Sequence, residues 1–331
     1  MKICIYGLGA VGGLMAAKLA ASGATVSAVA RGATLAAVRE RGLALIETAD
    51  GAEREMLVKL VASDRPADLG VQDLVVVAVK TTGLADVARE IAPLLGPDTA
   101  VLSAMNGMPW WFFHGLAPRQ RALRLSTVDP AGVVSRAVSP ERVIGCVTHL
   151  SAATPAPGTV RHVAGNRLIV GEPTGGTTSE RAQRTAAAFR QAGFDVDEAA
   201  SIQQEIWFKL WGNMTVNPIS AITGATGDRI LDDELVRAFM SRCMVEASQI
   251  GARIGLPIDA DPEIRHAVTR KLGAFRTSML QDVEAGKWVE LDALVGGVIE
   301  IARQLEVATP NIDTLFGLAR LHARVRGLYT T

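Results

Sequence analysis

Near the amino terminus the chain reads KICIYGLGAVGG, with Gly7, Gly9 and Gly12 in the spacing G-x-G-x-x-G directly after a strand-like Ile3-Cys4-Ile5-Tyr6. Each glycine has a physical task in a turn that cradles a pyrophosphate. Gly7 permits the tight turn, Gly9 lets the backbone approach the phosphates, and Gly12 lets the following helix pack closely on the strand. Gly7, Leu8, Gly9, Ala10, Val11 and Gly12 are therefore candidate cofactor-binding residues, with the helix N-terminus offering N–H groups to phosphate oxygens. A second constellation lies in IWFKLWGNMTVNPISAITG, where Lys209, Asn213 and Asn217 follow i, i+4, i+8 and so share one helix face. Trp207, Phe208, Leu210, Trp211, Met214 and Val216 surround them. A lysine in such company reads either as a snorkelling surface residue or as a proton donor. The two asparagines in line with it add a polar stripe that needs partners, which a polar substrate can supply.

The elements that must position these groups follow from the alternation of pattern along the first half. After Gly23 ends a helical stretch from Leu14 to Ala21, ATVSAVAR reads as a second strand, which completes a βαβ opening. A helix over 33–41 is followed by two strands, LALIETA and EMLVKLVA, joined by a hairpin-type turn at Asp50-Gly51. DLVVVAVK, ending at Lys80, and TAVLSAMNG, stopping at Asn106-Gly107, are continuous apolar strands suited to a parallel sheet buried on both faces. A helix is expected between them over 84–95. Ligands of such sheets sit beyond the carboxyl ends of the strands, so the glycine loop, Arg31, Lys80 and Asn106 are expected around one crevice. Arg31 stands where an NAD site places an acid on the ribose 2′-hydroxyl, and a guanidinium there favours the 2′-phosphate of NADP(H). Its alternative is a solvated surface arginine.

From about Gly145 to Gly171 the pattern is strand-rich, in GCVTHLSAA, GTVRHVA and RLIVGEP, and a helix over 179–192 and a strand FDVDEA close the first domain. Beyond Ser201 the signal is almost wholly helical, with interruptions at Pro218, Gly224 to Gly227, Pro257 to Pro262, Gly286 and Pro310. The fold class is α/β: an N-terminal Rossmann-type dinucleotide-binding domain over 1–200 and a C-terminal all-helical domain over 201–331.

The opening run has a rival reading as an export signal, with Lys2 as charged region and the apolar stretch to Ala17 as its core. The glycine spacing between strand and helix argues against it and for a cytoplasmic protein. The 34 basic residues balance 34 acidic ones, so no global field recruits nucleic acid or an anionic membrane. No apolar run reaches the ~20 residues of a membrane span. Cys4, Cys146 and Cys243 show no pairing or metal spacing and read as thiols of a reducing compartment. The five histidines lack ligand spacing, so no metal is assigned. The apolar content of the second half allows a homodimer.

Taken together, GLGAVGG, Val79-Lys80, Asn106-Gly107, KLWGNMTVNPISAI at 209–222 and SMLQDVEAGKWVELDALVG at 278–296 resemble the ketopantoate reductases (2-dehydropantoate 2-reductases) over essentially the whole length. The resemblance implies NADPH-dependent reduction of a 2-oxoacid ketone, in pantothenate biosynthesis, with Lys209 as the general acid that protonates the ketone oxygen. It implies that Glu290 helps hold that lysine and the substrate. It assigns Asn213, Asn217 and Ser278 to the substrate's hydroxyl and carboxylate, and Lys80 and Asn106 to the cofactor and substrate crevice. A cationic donor aimed at the oxygen is worth more in the transition state than in the ground state, because negative charge builds there as hydride arrives. The chain departs from the family after Asn106-Gly107, in MPWWFFHGLAPRQRALRLS. Trp110, Trp111, Phe112 and Phe113 are either core or a reshaped pocket for a bulkier 2-oxoacid, and His114 adjoins them. A third reading, an NADPH-sensing module without turnover, leaves the proton donor without a task.

Overall fold

The computed structural model describes residues 1–49, 51–176 and 179–329. The chain divides into two compact units, one of Met1–Asn106 with Gly132–Ile202, the other of Gly107–Ala131 with Gln203–Thr331. A single cut at residue 200 therefore differs from the observed division in two respects: the 107–131 segment groups with the helical residues, and the first unit runs on to Ile202.

The first unit is built on one sheet. Its strands are β1 (Lys2–Tyr6), β2 (Thr25–Val29), β3 (Leu43–Ala49), β4 (Ala52–Val58), β5 (Val61–Ser63), β6 (Gln72–Val77), β7 (Leu95–Ser103), β8 (Val143–Ala156), β9 (Thr159–Gly171) and β10 (Asp195–Glu198). Among the described residues the order is β4-β3-β9-β8-β7-β6-β1-β2-β5, with β10 beside β9. The run β5-β2-β1-β6-β7-β8 is parallel throughout and winds outward in both directions from β1, the order of a dinucleotide-binding Rossmann sheet. Ile3, Ile5, Val75, Val76 and Val77 are fully buried, which is why these strands are unbroken apolar runs. The Ala10–Ala21 helix sets Leu14, Met15 and Leu19 into one core with Ile144, Val160, Leu168 and Phe189. Each such side chain contributes about 1.5–3 kcal/mol by leaving water.

Several expectations are corrected in detail. EMLVKLVA does not form one strand: it divides at Lys59-Leu60 because β4 pairs antiparallel with β3 while β5 pairs parallel with β2. The helix expected over 84–95 ends at Glu90, since Pro93 lies in a short 3-10 turn and Leu95 already opens β7. GTVRHVA and RLIVGEP are halves of β9, which forms a long hairpin with β8. Asp50 of the expected turn lies outside the described residues, while the flanking register runs from Leu43↔Val58 to Ala49↔Ala52. The first helix starts at Ala10 rather than Leu14, so the glycine motif forms its first turn.

The second unit is helical: Ile202–Thr223, Gly227–Asp232, Glu234–Arg253, Pro262–Arg270, Ser278–Glu284, Gly297–Gln304 and Pro310–Val325, with a short Pro118–Arg121 turn from the earlier segment. The break expected at Pro218 is absent. The helix continues through it to Thr223, and burial of Met214, Val216, Ile219 and Ala221 on either side outweighs the ~3 kcal/mol cost of proline.

Candidate active site

In the first unit the glycine loop leaves β1 with Gly7 at φ +104°, a conformation that glycine alone adopts freely. A Cβ on Gly7 would lie 2.7 Å from Val79 Cγ1, and one on Gly12 would fall on Gly7 O and 2.9 Å from Ala78 Cβ. By contrast, a Cβ on Gly9 would meet nothing within 4 Å. Gly12 thus serves the packing of helix on strand, and Gly9 leaves room on the ligand side. Gly9 is the N-cap, with no side-chain cap, so the N–H groups of Ala10 and Val11 begin a helix whose dipole favours an anion. Beside this turn is a cleft of about 250 Å³ lined by Tyr6, Gly7, Leu8, Val29, Ala30, Arg31, Thr34, Val79, Gly83 and Asp86. It sits at the carboxyl ends of β1 and β6, on either side of the point where the strand order reverses. Lys80, half-buried, caps the 3-10 turn after β6, and Asn106, also half-buried, follows β7. A cradle closed to a Cβ at Gly7 and Gly12, with an open approach at Gly9, fits the pyrophosphate of a dinucleotide.

Arg31 is not a solitary cation. Its Nη1 donates to Asp86 Oδ2 at 3.0 Å and its Nη2 to Glu90 Oε2 at 2.6 Å. Arg89 also binds Asp86, and the Tyr6 hydroxyl donates to Glu90 Oε2 at 3.2 Å. Hydrogen bonds from Arg31 to Glu90 and then Asp86 hold its pKa above the ordinary arginine value. Burial, with the Glu90 charge behind it, pushes the Tyr6 phenol upward. The sequence reading assigned Arg31 and passed over Asp86 and Glu90. Their signal was an i, i+4 acid pair on one short helix, Leu84–Glu90.

In the second unit Lys209, Asn213 and Asn217 ride the Ile202–Thr223 helix in line, the first two half-buried and Asn217 buried. Ser278 and Glu290 come from two other segments of the same unit. Ser278 is exposed at the first turn of the Ser278–Glu284 helix, which Thr277 caps. Half-buried Glu290 lies two residues before a π-helical turn, Asp292–Gly296, and its carbonyl accepts from Leu294 N–H at 3.2 Å. Such turns recur at functional sites because they re-aim side chains without ending a helix. The segment is pinned on both sides of Glu290. Val289 N–H donates to Leu328 O at 3.1 Å, and the Tyr329 hydroxyl donates to Asp292 Oδ1 at 2.5 Å. Burial raises the Asp292 carboxyl pKa, against the opposing Tyr329 hydrogen bond.

The 107–131 segment docks on the same π turn. Met108 N–H donates to Ala293 O at 2.8 Å, and Gly107, at φ +76°, passes so close that a Cβ would lie 2.6 Å from Ala293 O. Gly107→Ala is expected to cost about 2–4 kcal/mol through strain and overpacking. The check is the urea midpoint, and an unchanged midpoint would show that the turn yields instead. Beyond it Trp110, Trp111, Phe112 and Phe113 are all buried, with Phe112 against Phe113 at 5.5 Å and Trp207 at 6.2 Å between ring centroids. They are core of the helical unit. His114 is half-buried and its carbonyl accepts from Gln203 Nε2 at 2.7 Å. Among the described residues no cluster could hold a metal ion, and no helix is long and apolar enough to cross a membrane.

A Rossmann-type unit with a glycine cradle, joined to a helical unit carrying an in-line lysine and asparagines, is the plan of a nicotinamide-dependent oxidoreductase. The chain belongs to the ketopantoate reductase family: the ketopantoate reductase PanE/ApbA model matches residues 3–175 and its C-terminal model residues 201–323. A 2-dehydropantoate 2-reductase of Mesorhizobium japonicum is 45% identical over 100% of both chains. One from Halobacterium salinarum is 28% identical over 98% of this chain and 99% of its own. The crystal structure of a Ralstonia solanacearum MolK2 protein, provisionally described as a ketopantoate reductase, is 53% identical, covers 99% of each chain and superposes with a TM-score of 0.93.

Proposed function

We propose that this chain reduces 2-dehydropantoate to pantoate with NADPH, as a step of pantothenate biosynthesis. The observation that carries the reading is the polar stripe of Lys209, Asn213 and Asn217 on one helix of the unit that the family's C-terminal model spans. The first unit, through Gly7, Leu8, Gly9, Ala10, Val11, Gly12, Arg31, Lys80 and Asn106, binds the cofactor. The helical unit carries out the proton chemistry. Bound NADPH supplies the hydride. Lys209 donates its Nζ proton to the ketone oxygen as negative charge grows there, so the carbonyl becomes the hydroxyl of a 2-hydroxyacid. Glu290 supports the ammonium form of Lys209 and orients the substrate. Asn213, Asn217 and Ser278 fix the substrate's hydroxyl and carboxylate, which converts binding energy into alignment.

The burial of Trp110 to Phe113 supports the smaller substrate over a bulky aryl 2-oxoacid, because those rings are packed against their own unit rather than lining an open pocket. We further infer cytoplasmic residence, supported by three buried free thiols at Cys4, Cys146 and Cys243. A homodimer is supported by the exposed Ile264, Val268 and Leu272, spaced i, i+4, i+8. The test is NADPH oxidation followed by absorbance with ketopantoate and with a bulky aryl 2-oxoacid. Ketopantoate is expected to be preferred in kcat/KM by at least about tenfold, which corresponds to ~1.4 kcal/mol of transition-state binding. Turnover of the aryl substrate alone would overturn the substrate assignment and leave the family chemistry standing.

A further inference from the structure

The pairing around Arg31 bears on which cofactor the cleft selects, and the following rests on the cleft being the adenosine site proposed above. A guanidinium recognises a phosphate best through two parallel N–H bonds. In this chain both terminal nitrogens of Arg31 are already committed, Nη1 to Asp86 and Nη2 to Glu90. The two acids are held in place by further contacts: Arg89 binds Asp86, and the buried Tyr6 ring projects its hydroxyl onto Glu90. Asp86 itself lines the cleft with Arg31. A 2′-phosphate that reaches Arg31 must therefore either displace a carboxylate or use the remaining N–H groups, and in both cases it sits as a dianion beside two negative charges. A ribose 2′-hydroxyl, being uncharged, meets neither cost.

We propose that Asp86 and Glu90 are specificity-determining residues that lower the enzyme's preference for NADPH over NADH by competing with the 2′-phosphate for Arg31. Glu90 is the stronger of the two, because Tyr6 anchors it and leaves Arg31 as the partner that must move. The pairs are partly exposed, with side chains 39–48% accessible, so each is worth the modest amount of a solvent-facing ion pair.

The test measures binding without turnover. Adenosine 2′,5′-bisphosphate and 5′-AMP are titrated calorimetrically into the native protein, Glu90→Gln, Asp86→Asn and the double variant. The selectivity for the bisphosphate is expected to rise roughly two- to fivefold in each single variant and about tenfold in the double, with 5′-AMP affinity held within twofold. In an Arg31→Ala background the same changes are expected to leave selectivity flat, which a merely structural role of the acids would not reproduce. Selectivity that stays level or falls in the single variants would overturn the proposal, since the acids would then be presenting Arg31 to the phosphate. Failure of the native protein to bind either nucleotide, or NADPH, would instead refute the assignment of the cleft, and the proposal with it.

Discussion

Replacing Lys209 with alanine is expected to lower kcat for ketopantoate reduction by two to four orders of magnitude, the range of a lost general acid. NADPH affinity should stay within about twofold, because the lysine belongs to the helical unit and the phosphate cradle to the other. The helix itself should hold, since Lys209 is half-buried on a face whose neighbours Leu210, Trp211 and Met214 carry the packing. Steady-state rates and a fluorescence titration of NADPH separate the two effects. A variant that keeps native kcat would remove Lys209 from the chemistry, and one that loses NADPH binding as well as kcat would indicate a collapsed unit. Lys209→Arg keeps the charge but not a transferable proton, so it is expected to remain impaired by at least about a hundredfold.

The second large effect is a contrast between two glycines of the same loop. Gly12→Ala places a methyl group on the Gly7 carbonyl and against Ala78 Cβ, where backbone rather than a flexible side chain must give way. The expected result is a thermal midpoint lowered by many degrees, or no folded protein, from overpacking where the helix meets the Gly7 backbone. Gly9→Ala adds the same methyl at φ −74° with nothing within 4 Å, so the fold should keep its midpoint to within about 2 °C. NADPH affinity should nevertheless fall by about tenfold or more, because that open space is where the pyrophosphate has to approach the backbone. Native-like NADPH binding by Gly9→Ala would place the phosphates elsewhere.

The glycine turn was legible in sequence because both of its constraints, a positive φ at Gly7 and a backbone approach at Gly12, can be met by one residue type only. The stripe of Lys209, Asn213 and Asn217 was legible because helical spacing alone puts three residues in line. The acids on Arg31 were not, since they lie 55 and 59 residues away and meet it only through the pairing of β1 with its neighbours. Nor does hydrophobicity reveal which of two cores claims an apolar run. Trp110 to Phe113 follow a Rossmann strand after only a short turn over 106–109, yet pack with helices that begin near residue 202. Pro218 misled for a related reason, as a local penalty says nothing about the burial that opposes it.

Because each unit is assembled from two separate stretches of chain, no single peptide cleavage divides them. On the ribosome, residues 107–131 emerge well before residue 203, where the rest of their unit starts. At about 5–20 residues per second the four aromatic side chains then wait on the order of several seconds for Trp207 and its helix. Their hydrophobic surface spends that interval uncovered, which makes this segment one that a nascent chain needs a chaperone to cover and that a slow translation pause between 131 and 203 would leave exposed longer.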